Sequence, residues 1–275
     1  MSLSFCSFSS GSSGNCYLVK TEKSAVIIDA GISATRILKE LDRTDTPRER
    51  VGALFLTHEH HDHVTGARVL LKKLEEAEVY ASPGTMEATR RRDMGQRYSF
   101  SAEIAKERCN TIAPDEAVKV GDLTVRAFRT LHDGIEPYGY SITSGGKSIT
   151  VLTDTGIVTE DVLEYIADAD VLVLEANHDT ELLRQGSYPH YLKQRILGDH
   201  GHLSNAQCAG VLLRLFSRLD KKRVVFLAHL SAENNTPAIA ERTVLTALAR
   251  EERYTGSDLY MGVLLRDEAS LQYRL

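Results

Sequence analysis

Short apolar runs alternate with amphipathic stretches along most of the chain. The runs that predict strands lie at 3–8, 16–19, 25–31, 53–57, 78–82, 171–174 and 223–229. The stretches with helical spacing lie at 64–77, 83–92, 204–216 and 236–252. Three consecutive strand patterns between 123 and 153 argue against a simple doubly wound sheet. We therefore expect an α/β protein with two facing β-sheets and outer helices, in a single domain over residues 1–275.

The composition narrows the class of protein. The formal net charge is −5 and the pI is near 6.1, so the chain is not a globally basic nucleic-acid binder, although a local basic patch can still meet phosphates. The four cysteines form no CxxC pair, which favours a reducing cytoplasm over a zinc ribbon or a disulfide framework. No leader pattern and no run approaching ~20 apolar residues is present, so we expect a soluble, cytoplasmic protein without a membrane partner. The sequence leaves the oligomeric state open.

Polar side chains recur where the apolar strand patterns stop. Each of the following comes at the end of a different run: His58, His132, Asp154, Glu175 and His229. Strand ends at one edge of a sheet are where α/β folds build their sites. A lone histidine after a strand is more often a capping group than a ligand, and the Asp of a DTG segment is more often turn chemistry. Five such coincidences instead predict one shared cleft.

The segment THEHHDH at 57–63 contains four imidazoles and two carboxylates in seven residues. Its pattern H-x-H-x-D-H places imidazole nitrogens and one carboxylate at a spacing that can serve two divalent ions. A chance cluster would place histidines anywhere, whereas this one directly follows the strand predicted at 53–57. The segment therefore indicates a dinuclear metal site.

This motif resembles the signature of the metallo-β-lactamase superfamily. The resemblance continues through FSSGSSGN, IIDAG, LHD, LTDTG, LEANHD, GHLSN and AHLSAENNTP in the expected order, and it is strongest to the bacterial YycJ/WalJ group. It implies a four-layer αββα sandwich. Only 74 residues separate Asp154 from His229, so no β-CASP insertion is expected.

The resemblance also implies ligands for two divalent metal ions. One ion would be held by His58, His60 and His132, the other by Asp62, His63 and His229, and Asp154 would bridge both. Zinc suits the imidazoles, while manganese or iron suits the carboxylates and phosphate oxygens. Four side chains are left without a ligand role: Glu59, His61, His190 and His200. The first two are expected to face solvent or to support a ligand from behind.

Catalytic roles are implied for four residues: Asp62, Asp154, Glu175 and His202. Two divalent ions about 3.5–4 Å apart can lower the pKa of a water molecule and neutralise the charge of an in-line displacement at phosphorus. Glu175 and His202 resemble the Glu–His pair of the tRNase Z branch, in which His202 would protonate the leaving oxygen and Glu175 would orient the ring. The alternative is that His202 merely precedes a helix cap at Ser204 while Glu175 is a buried salt-bridge partner.

Phosphate contacts are expected from a glycine-rich hairpin loop at 8–15, from the helix start after His229, and from basic stretches. The candidates are Ser12, Asn15, His178, Arg184, Lys193, Asn234 and Asn235. Two stretches could form a nucleic-acid surface. The stretch 89–97 contains four arginines, and the stretch 184–195 contains Arg184, Lys193 and Arg195. A charge run is more often a solvated helix face, so neither stretch is decisive alone.

Together these features predict a dinuclear metal-dependent phosphodiesterase that acts on nucleic acid. The YycJ/WalJ resemblance implies a 5′-to-3′ exonuclease of double-stranded DNA that binds a duplex end and is linked to DNA repair. A tRNase Z-like ribonuclease acting on RNA is one alternative, and a hydrolase of small phosphodiesters or thioesters is another. A regulatory protein with a structural metal site is the non-enzymatic alternative, which the presence of all seven expected ligands disfavours.

Overall fold

The computed structural model describes residues 2–91, 103–219, 221–252 and 259–275. Within these ranges the strands are β1 Ser4–Ser9, β2 Cys16–Lys20, β3 Ala25–Ile28, β4 Val51–Phe55, β5 Glu78–Ala81, β6 Cys109–Thr111, β7 Ala117–Val120, β8 Leu123–Arg129, β9 Tyr138–Ser144, β10 Lys147–Leu152, β11 Val171–Glu175, β12 Arg223–Ala228, β13 Leu259–Val263 and β14 Tyr273–Arg274. The helices are α1 Ala34–Arg43, α2 His61–Val64, α3 Ala67–Leu71, α4 Pro83–Arg90, α5 Glu160–Ala167, α6 Thr180–Gln185, α7 His190–Leu197, α8 Asn205–Arg218 and α9 Pro237–Arg250. Arg92 and Arg97, expected to belong to a nucleic-acid surface, lie outside the described residues.

Two seven-stranded sheets form the interior. The strand order is β14-β1-β2-β3-β4-β5-β6 in the first sheet and β13-β12-β11-β10-β9-β8-β7 in the second. Strands β3 to β6 run parallel to one another, and so do β10 to β13, whereas the hairpins β1–β2 and β7–β8–β9 are antiparallel. Each sheet therefore has a parallel half whose strands end at a common edge, where α/β folds place their sites.

The two sheets face each other across an apolar core. Phe55 of the first sheet is fully buried there, between Tyr80 of the same sheet and Tyr140 of the second. The ring centroid of Phe55 lies 5.0 Å from that of Tyr80 and 5.3 Å from that of Tyr140. The hydroxyl of Tyr140 donates to Leu56 O at 2.7 Å, so its one polar atom is also satisfied. These contacts fix the first sheet against the second.

Helices cover the outer face of each sheet. Ile37 and Leu41 of α1 and Leu70 of α3 pack on the first sheet, while Leu212 of α8 and Val244 of α9 pack on the second. This is the expected four-layer αββα sandwich. Between β10 and β12 the described residues form only β11 and helices α5 to α8, so no β-CASP insertion is present there. In the described parts of the chain, no helix combines the length and the apolar character needed to cross a membrane.

Local sequence signals correctly predict several element boundaries. The hairpin expected around the loop at 8–15 forms as β1 paired with β2. Helix α8 begins with the expected capping box, in which the Ser204 hydroxyl accepts from Gln207 N and the Gln207 side chain accepts from Ser204 N. Pro83 occupies the first turn of α4, as its fixed φ favours.

The stretch at 64–77 does not form the single helix that its spacing predicts. It contains only α3, after the short α2. Gly66 N donates to Ala30 O at 2.7 Å, and a Cβ at Gly66 would lie 2.0 Å from Ile32 O. The chain bends at Gly66 because the backbone must approach the loop after β3 this closely.

Replacing Phe55 by alanine is expected to lower the free energy of unfolding by about 3–5 kcal/mol, because the new cavity lies between two sheets that cannot readily collapse. Urea unfolding followed by circular dichroism measures this change. Leu271→Ala is the control, because Leu271 is 88% exposed, and it should change the value by less than about 0.5 kcal/mol. If Phe55→Ala changed the free energy of unfolding as little as Leu271→Ala, the inter-sheet core would not have the expected stabilising role.

Candidate metal centre

Side chains from both sheets meet at one edge of the sandwich. Strand β4 of the first sheet leads into His58. The second sheet supplies four residues at or just beyond the ends of β8, β10, β11 and β12: His132, Asp154, Glu175 and His229. The structure thus brings together the five polar residues that were expected to share a cleft.

Two groups of potential ligands face each other at this edge. Within each group the ligand atoms lie within 4.8 Å of one another, and the groups are His58, His60 and His132, and Asp62, His63 and His229. Asp154 lies between them, because its Oδ2 is 3.3 Å from His63 Nε2 and its Oδ1 is 3.8 Å from His132 Nε2. Other groups at the same spacing overlap these two, such as His58, His63 and Asp154, so the division of the ligands between two ions stays a prediction.

Hydrogen bonds to the Nδ1 atoms orient the imidazole rings. His132 Nδ1 donates to Gly201 O at 2.9 Å, and because a carbonyl oxygen can only accept, the proton of this ring lies on Nδ1. His63 Nδ1 donates to the Asp29 carboxylate at 2.7 Å, and His229 Nδ1 makes the same kind of bond to a carboxylate. Each ring therefore turns Nε2 toward the centre, as metal-binding histidines do.

Three buried atoms at the centre have no hydrogen-bond partner among the described residues: His58 Nε2, His132 Nε2 and Asp154 Oδ2. His132 Nε2 and Asp154 Oδ2 face a charged group at 3.2 Å and 3.3 Å, from Asp133 and His63, but none of the three atoms makes the hydrogen bond that buried polar atoms usually make. All are imidazole nitrogens or carboxylate oxygens, the donors that divalent transition metals prefer. The residues present therefore fit a metal centre.

The two groups differ in their electrostatic environment. Burial and the neighbouring imidazoles hold the pKa of His58 well below its usual value, and burial lowers that of His60 to about 4. Burial also disfavours the charged form of His229, but nearby carboxylates, Asp154 first among them, raise its pKa to about 10. His63 behaves in the same way and its pKa is also raised. The second group therefore attracts positive charge more strongly than the first.

Asp29 supports the centre from behind, a role that sequence reasoning did not assign. It is fully buried, and its carboxylate accepts hydrogen bonds from Thr57 N and Thr57 Oγ1, both at 2.9 Å, besides the bond from His63. These bonds tie the end of β3 to the end of β4 and to α2. The available signal was its position after the apolar run of IIDAG, which matches that of Asp154 in LTDTG.

Three of the six non-glycine residues with positive φ in the described parts of the chain lie at these strand ends. Asp29, Asp154 and His229 have positive φ values of 59°, 56° and 53°, which non-glycine residues rarely adopt. Such a conformation costs about 1–3 kcal/mol per residue and persists where surrounding contacts impose it, commonly at functional sites. Here His229 is held by a bond from its N to Ser10 Oγ at 2.9 Å.

Glu175 connects the metal centre to His202. Its Oε1 lies 2.8 Å from His202 Nδ1 and 2.9 Å from His229 Nδ1, and its Oε2 accepts from the backbone N of Thr155 and Leu203 at 3.1 Å each. Burial would raise the pKa of Glu175, but the two imidazoles and these bonds hold it well below its usual value. The pairing with His202 is present as expected, while the contact with His229 was not anticipated.

Two acidic residues beside the ligands gain roles from tertiary contacts. Glu59 is 4% exposed, and its Oε1 accepts from Ile135 N at 2.9 Å, so it supports the loop that carries His132. Asp133 lies at the first group, with Oδ1 3.2 Å from His132 Nε2 and 3.7 Å from His60 Nε2. His61 begins α2, and the two histidines not expected to bind metal, His190 and His200, are exposed.

The candidates for phosphate contact lie in different environments. Ser12 and Arg184 are exposed, and Arg184 pairs with Glu181 at 3.1 Å. Lys193 Nζ donates to Arg184 O and to Gly186 O, both at 2.7 Å.

The remaining candidates are buried: Asn15, His178, Asn234 and Asn235. Asn15 Oδ1 accepts from Gly11 N at 3.0 Å, and Asn235 Nδ2 donates to Ala176 O at 2.8 Å. Both nitrogens of His178 lack partners among the described residues, and burial lowers its pKa to about 4.

Comparison with known proteins places these features in a family. The profile of the family described as "Beta-lactamase superfamily domain" matches residues 24–230. Exodeoxyribonuclease WalJ of Streptococcus pneumoniae serotype 2 (strain D39 / NCTC 7466) is 35% identical over 249 residues, which cover 90% of this chain and 89% of that protein. Exodeoxyribonuclease YycJ of Bacillus anthracis is 32% identical over 252 residues, which cover 90% of each protein.

A solved structure supports the same architecture. The metallo-beta-lactamase fold protein YhfI from Bacillus subtilis superposes with a TM-score of 0.69, and the alignment covers 100% of both chains at 15% sequence identity. At this level of identity the similarity is evidence for the fold alone.

Replacing Gly31 by alanine is expected to reduce metal content and to lower the free energy of unfolding by about 1–3 kcal/mol. A Cβ at this position would lie 1.6 Å from Asp62 O and 2.7 Å from Asn15 N, so the methyl group must displace the turn that carries Asp62. Elemental analysis of purified protein and urea unfolding measure the two effects.

Gly210→Ala is the matched control, because a Cβ there meets nothing within 4 Å and the residue lies inside α8. It should keep the metal content and stabilise the protein by up to about 1 kcal/mol. A Gly31→Ala protein with full metal content and unchanged stability would disprove the proposed packing.

Proposed function

The chain belongs to the metallo-β-lactamase superfamily and, within it, to the YycJ/WalJ group, and we propose that it is a 5′-to-3′ exonuclease of double-stranded DNA. It is a metal-dependent hydrolase. The choice of DNA is supported by the two relatives named exodeoxyribonucleases. The main observation in favour of phosphodiesterase activity is the Glu175–His202 pair beside Asp154. This pair can supply the proton that the leaving oxygen needs.

We propose that seven residues hold two divalent ions. His58, His60 and His132 would hold one, Asp62, His63 and His229 the other, and Asp154 would bridge them. When bound, the ions supply a nucleophilic water at neutral pH and neutralise charge on the phosphate. The five imidazoles favour zinc as the resident metal, and the carboxylates also suit manganese or iron.

The residues around the ions would move protons. The side chain of Asp62 is 21% exposed and is the accessible carboxylate of the second group, so it can accept a proton from the attacking water. Glu175 Oε1 faces His202 Nδ1 at 2.8 Å and would orient the ring so that Nε2 can deliver a proton to the leaving oxygen. His202 lies close to the bridging carboxylate, with Nδ1 3.8 Å from Asp154 Oδ1.

We further propose how the remaining candidates serve the substrate. Ser12 and Arg184 are exposed and would contact phosphates directly. The buried candidates would hold the surrounding loops in shape, and these are Asn15, His178, Asn234 and Asn235. Lys193, which donates to two carbonyl oxygens between α6 and α7, would do the same for the wall formed by these helices.

The biological setting follows from the proposed substrate. An exonuclease that degrades duplex ends is suited to DNA repair, and we propose that the protein acts there, in the cytoplasm. We also propose that residues 1–275 act as one domain. The apolar core shared by both sheets supports this, because neither sheet could bury its inner face alone.

Purified protein supplied with Mn²⁺ or Zn²⁺ is expected to release mononucleotides early from the 5′-labelled end of duplex DNA. Denaturing gels of 5′-labelled and 3′-labelled duplexes, beside matched single-stranded DNA and RNA, measure polarity and substrate class. Asp154→Asn should abolish release, because the bridging carboxylate is lost. Cleavage confined to RNA would instead support a ribonuclease, and no cleavage of any polymer by the metal-loaded protein would refute a nuclease.

The role of His202 predicts a dependence on the leaving group. His202→Ala should lower kcat on DNA by about 10²–10⁴-fold, because the 3′ oxygen needs a proton, but the hydrolysis of bis(p-nitrophenyl) phosphate much less, because nitrophenolate leaves without one. Steady-state kinetics with both substrates measure the difference, and metal content should be unchanged. Equal losses on the two substrates would show that His202 is not the proton donor.

A further inference from the structure

The turn that follows α7 is packed against the metal centre. The backbone oxygen of Gly201 accepts the Nδ1 proton of His132, and a Cβ at Gly201 would lie 2.3 Å from Arg195 O. A Cβ at Gly156, in the turn after β10, would lie 2.4 Å from Asp199 O. The close approach of these backbones fixes the position of Arg195 relative to the ligands.

The carboxylate of Asp133 lies between the guanidinium of Arg195 and the first group of ligands. Arg195 Nε pairs with Asp133 Oδ2, and the other oxygen of the same carboxylate lies 3.2 Å from His132 Nε2. The side chain of Arg195 is 48% exposed. In the part of the chain that the structure describes, its Nη1 and Nη2 atoms have no hydrogen-bond or ion-pair partner. One edge of the planar group is held by Asp133, and the two terminal nitrogens remain available in a side chain that is about half exposed.

Other cations at this side of the cleft are engaged by the protein. Arg129 Nη2 pairs with Glu136 at 3.1 Å, and two of the three donors of Lys193 are used by backbone oxygens. Arg195 differs because its pairing uses Nε alone and leaves the two terminal nitrogens for a ligand. An arginine oriented in this way can donate a charge-assisted hydrogen bond from a terminal nitrogen to a phosphate oxygen.

We propose that Arg195 binds a non-bridging oxygen of the scissile phosphate and that Asp133 is a positioning residue that holds the guanidinium in place. The proposal rests on the proposed phosphodiesterase function and specifies how the substrate is oriented. The hydrogen bond to Asp133 raises the pKa of Arg195 further above its usual value, so the side chain stays charged. Because Asp133 prevents rotation about the end of the side chain, less freedom is lost when the phosphate binds.

The test compares five variants of the metal-loaded full chain: Arg195→Ala, Arg195→Lys, Asp133→Asn, the double variant of Arg195→Ala with Asp133→Asn, and the control Arg218→Ala. Arg218 is a partly exposed arginine of α8 that pairs with Glu160 away from the cleft. Arg195→Ala should lower kcat/KM for duplex DNA by about 10- to 100-fold, the effect of one charge-assisted hydrogen bond. Arg195→Lys should lose an intermediate factor because it keeps the charge without the planar fork. Arg218→Ala should match the wild type.

Asp133→Asn separates positioning from metal binding. Introduced into the wild type, Asp133→Asn should lower kcat/KM for duplex DNA. Introduced into Arg195→Ala, it should cause no further loss, because both substitutions remove the same interaction. The metal content of every variant should remain that of the wild type. Loss of metal from Asp133→Asn would overturn the positioning role and make Asp133 a ligand.

A second readout tests the contact itself. Duplexes in which one non-bridging oxygen of the terminal scissile phosphate is replaced by methyl, as separate Rp and Sp isomers, serve as competitive inhibitors. One isomer should bind about 10-fold or more weakly than the other to the wild type. This difference should shrink toward unity in Arg195→Ala. An undiminished difference in Arg195→Ala would overturn the contact.

Failure of this assignment can be told apart from failure of the proposed function. Wild-type activity on DNA that is matched by Arg195→Ala would overturn the assignment alone. Activity on bis(p-nitrophenyl) phosphate without activity on DNA would overturn the substrate, and a loss on this diester in Arg195→Ala would still support the phosphate contact. No hydrolysis of any phosphodiester by the wild type would overturn both.

Discussion

Negative charge buried at the edge of the two sheets is the constraint on which the site depends. Asp29 and Glu175 are fully buried and Asp154 is 2% exposed. An uncompensated buried carboxylate costs several kcal/mol, so each requires a donor or a cation. His63 meets Asp29 through Nδ1 and Asp154 through Nε2, and His229 has a carboxylate on each side in the same way. The rings can carry the compensating charge as protons, and metal ions that bind Nε2 would take their place and release those protons.

The fold supplies the rigid frame that this charge balance requires. Parallel strands of both sheets end at one edge, and the apolar core around Phe55 fixes one sheet relative to the other. Backbone contacts at Gly31 and Gly201 then hold α2, which carries Asp62 and His63, and the turn after α7, which contacts His132. The positive φ values at Asp154 and His229 are maintained by this frame rather than by local preference.

The sequence was informative where function is encoded in local spacing. The potential ligands at 58–63 lie close together in one motif, and the others follow apolar runs. Strand ends and this motif were therefore sufficient to predict that these side chains converge. Glu59 and Asp133 could not be assigned in this way, because their roles consist of contacts with residues far away in the chain, such as the bond from Ile135 N to Glu59. Asp29 offered the same strand-end signal as Asp154, but that signal was not used. The break at Gly66 was missed for the same reason, since a contact with the loop after β3 overrides the helical spacing at 64–77.

We propose that the two groups of ligands hold two separate divalent ions that share Asp154. Crystals grown with Zn²⁺ and measured on both sides of the zinc absorption edge test this most directly. Two anomalous peaks per chain are expected, one bounded by His58, His60 and His132 and the other by Asp62, His63 and His229, with Asp154 between them. A single peak, or peaks bounded by other residues, would contradict it.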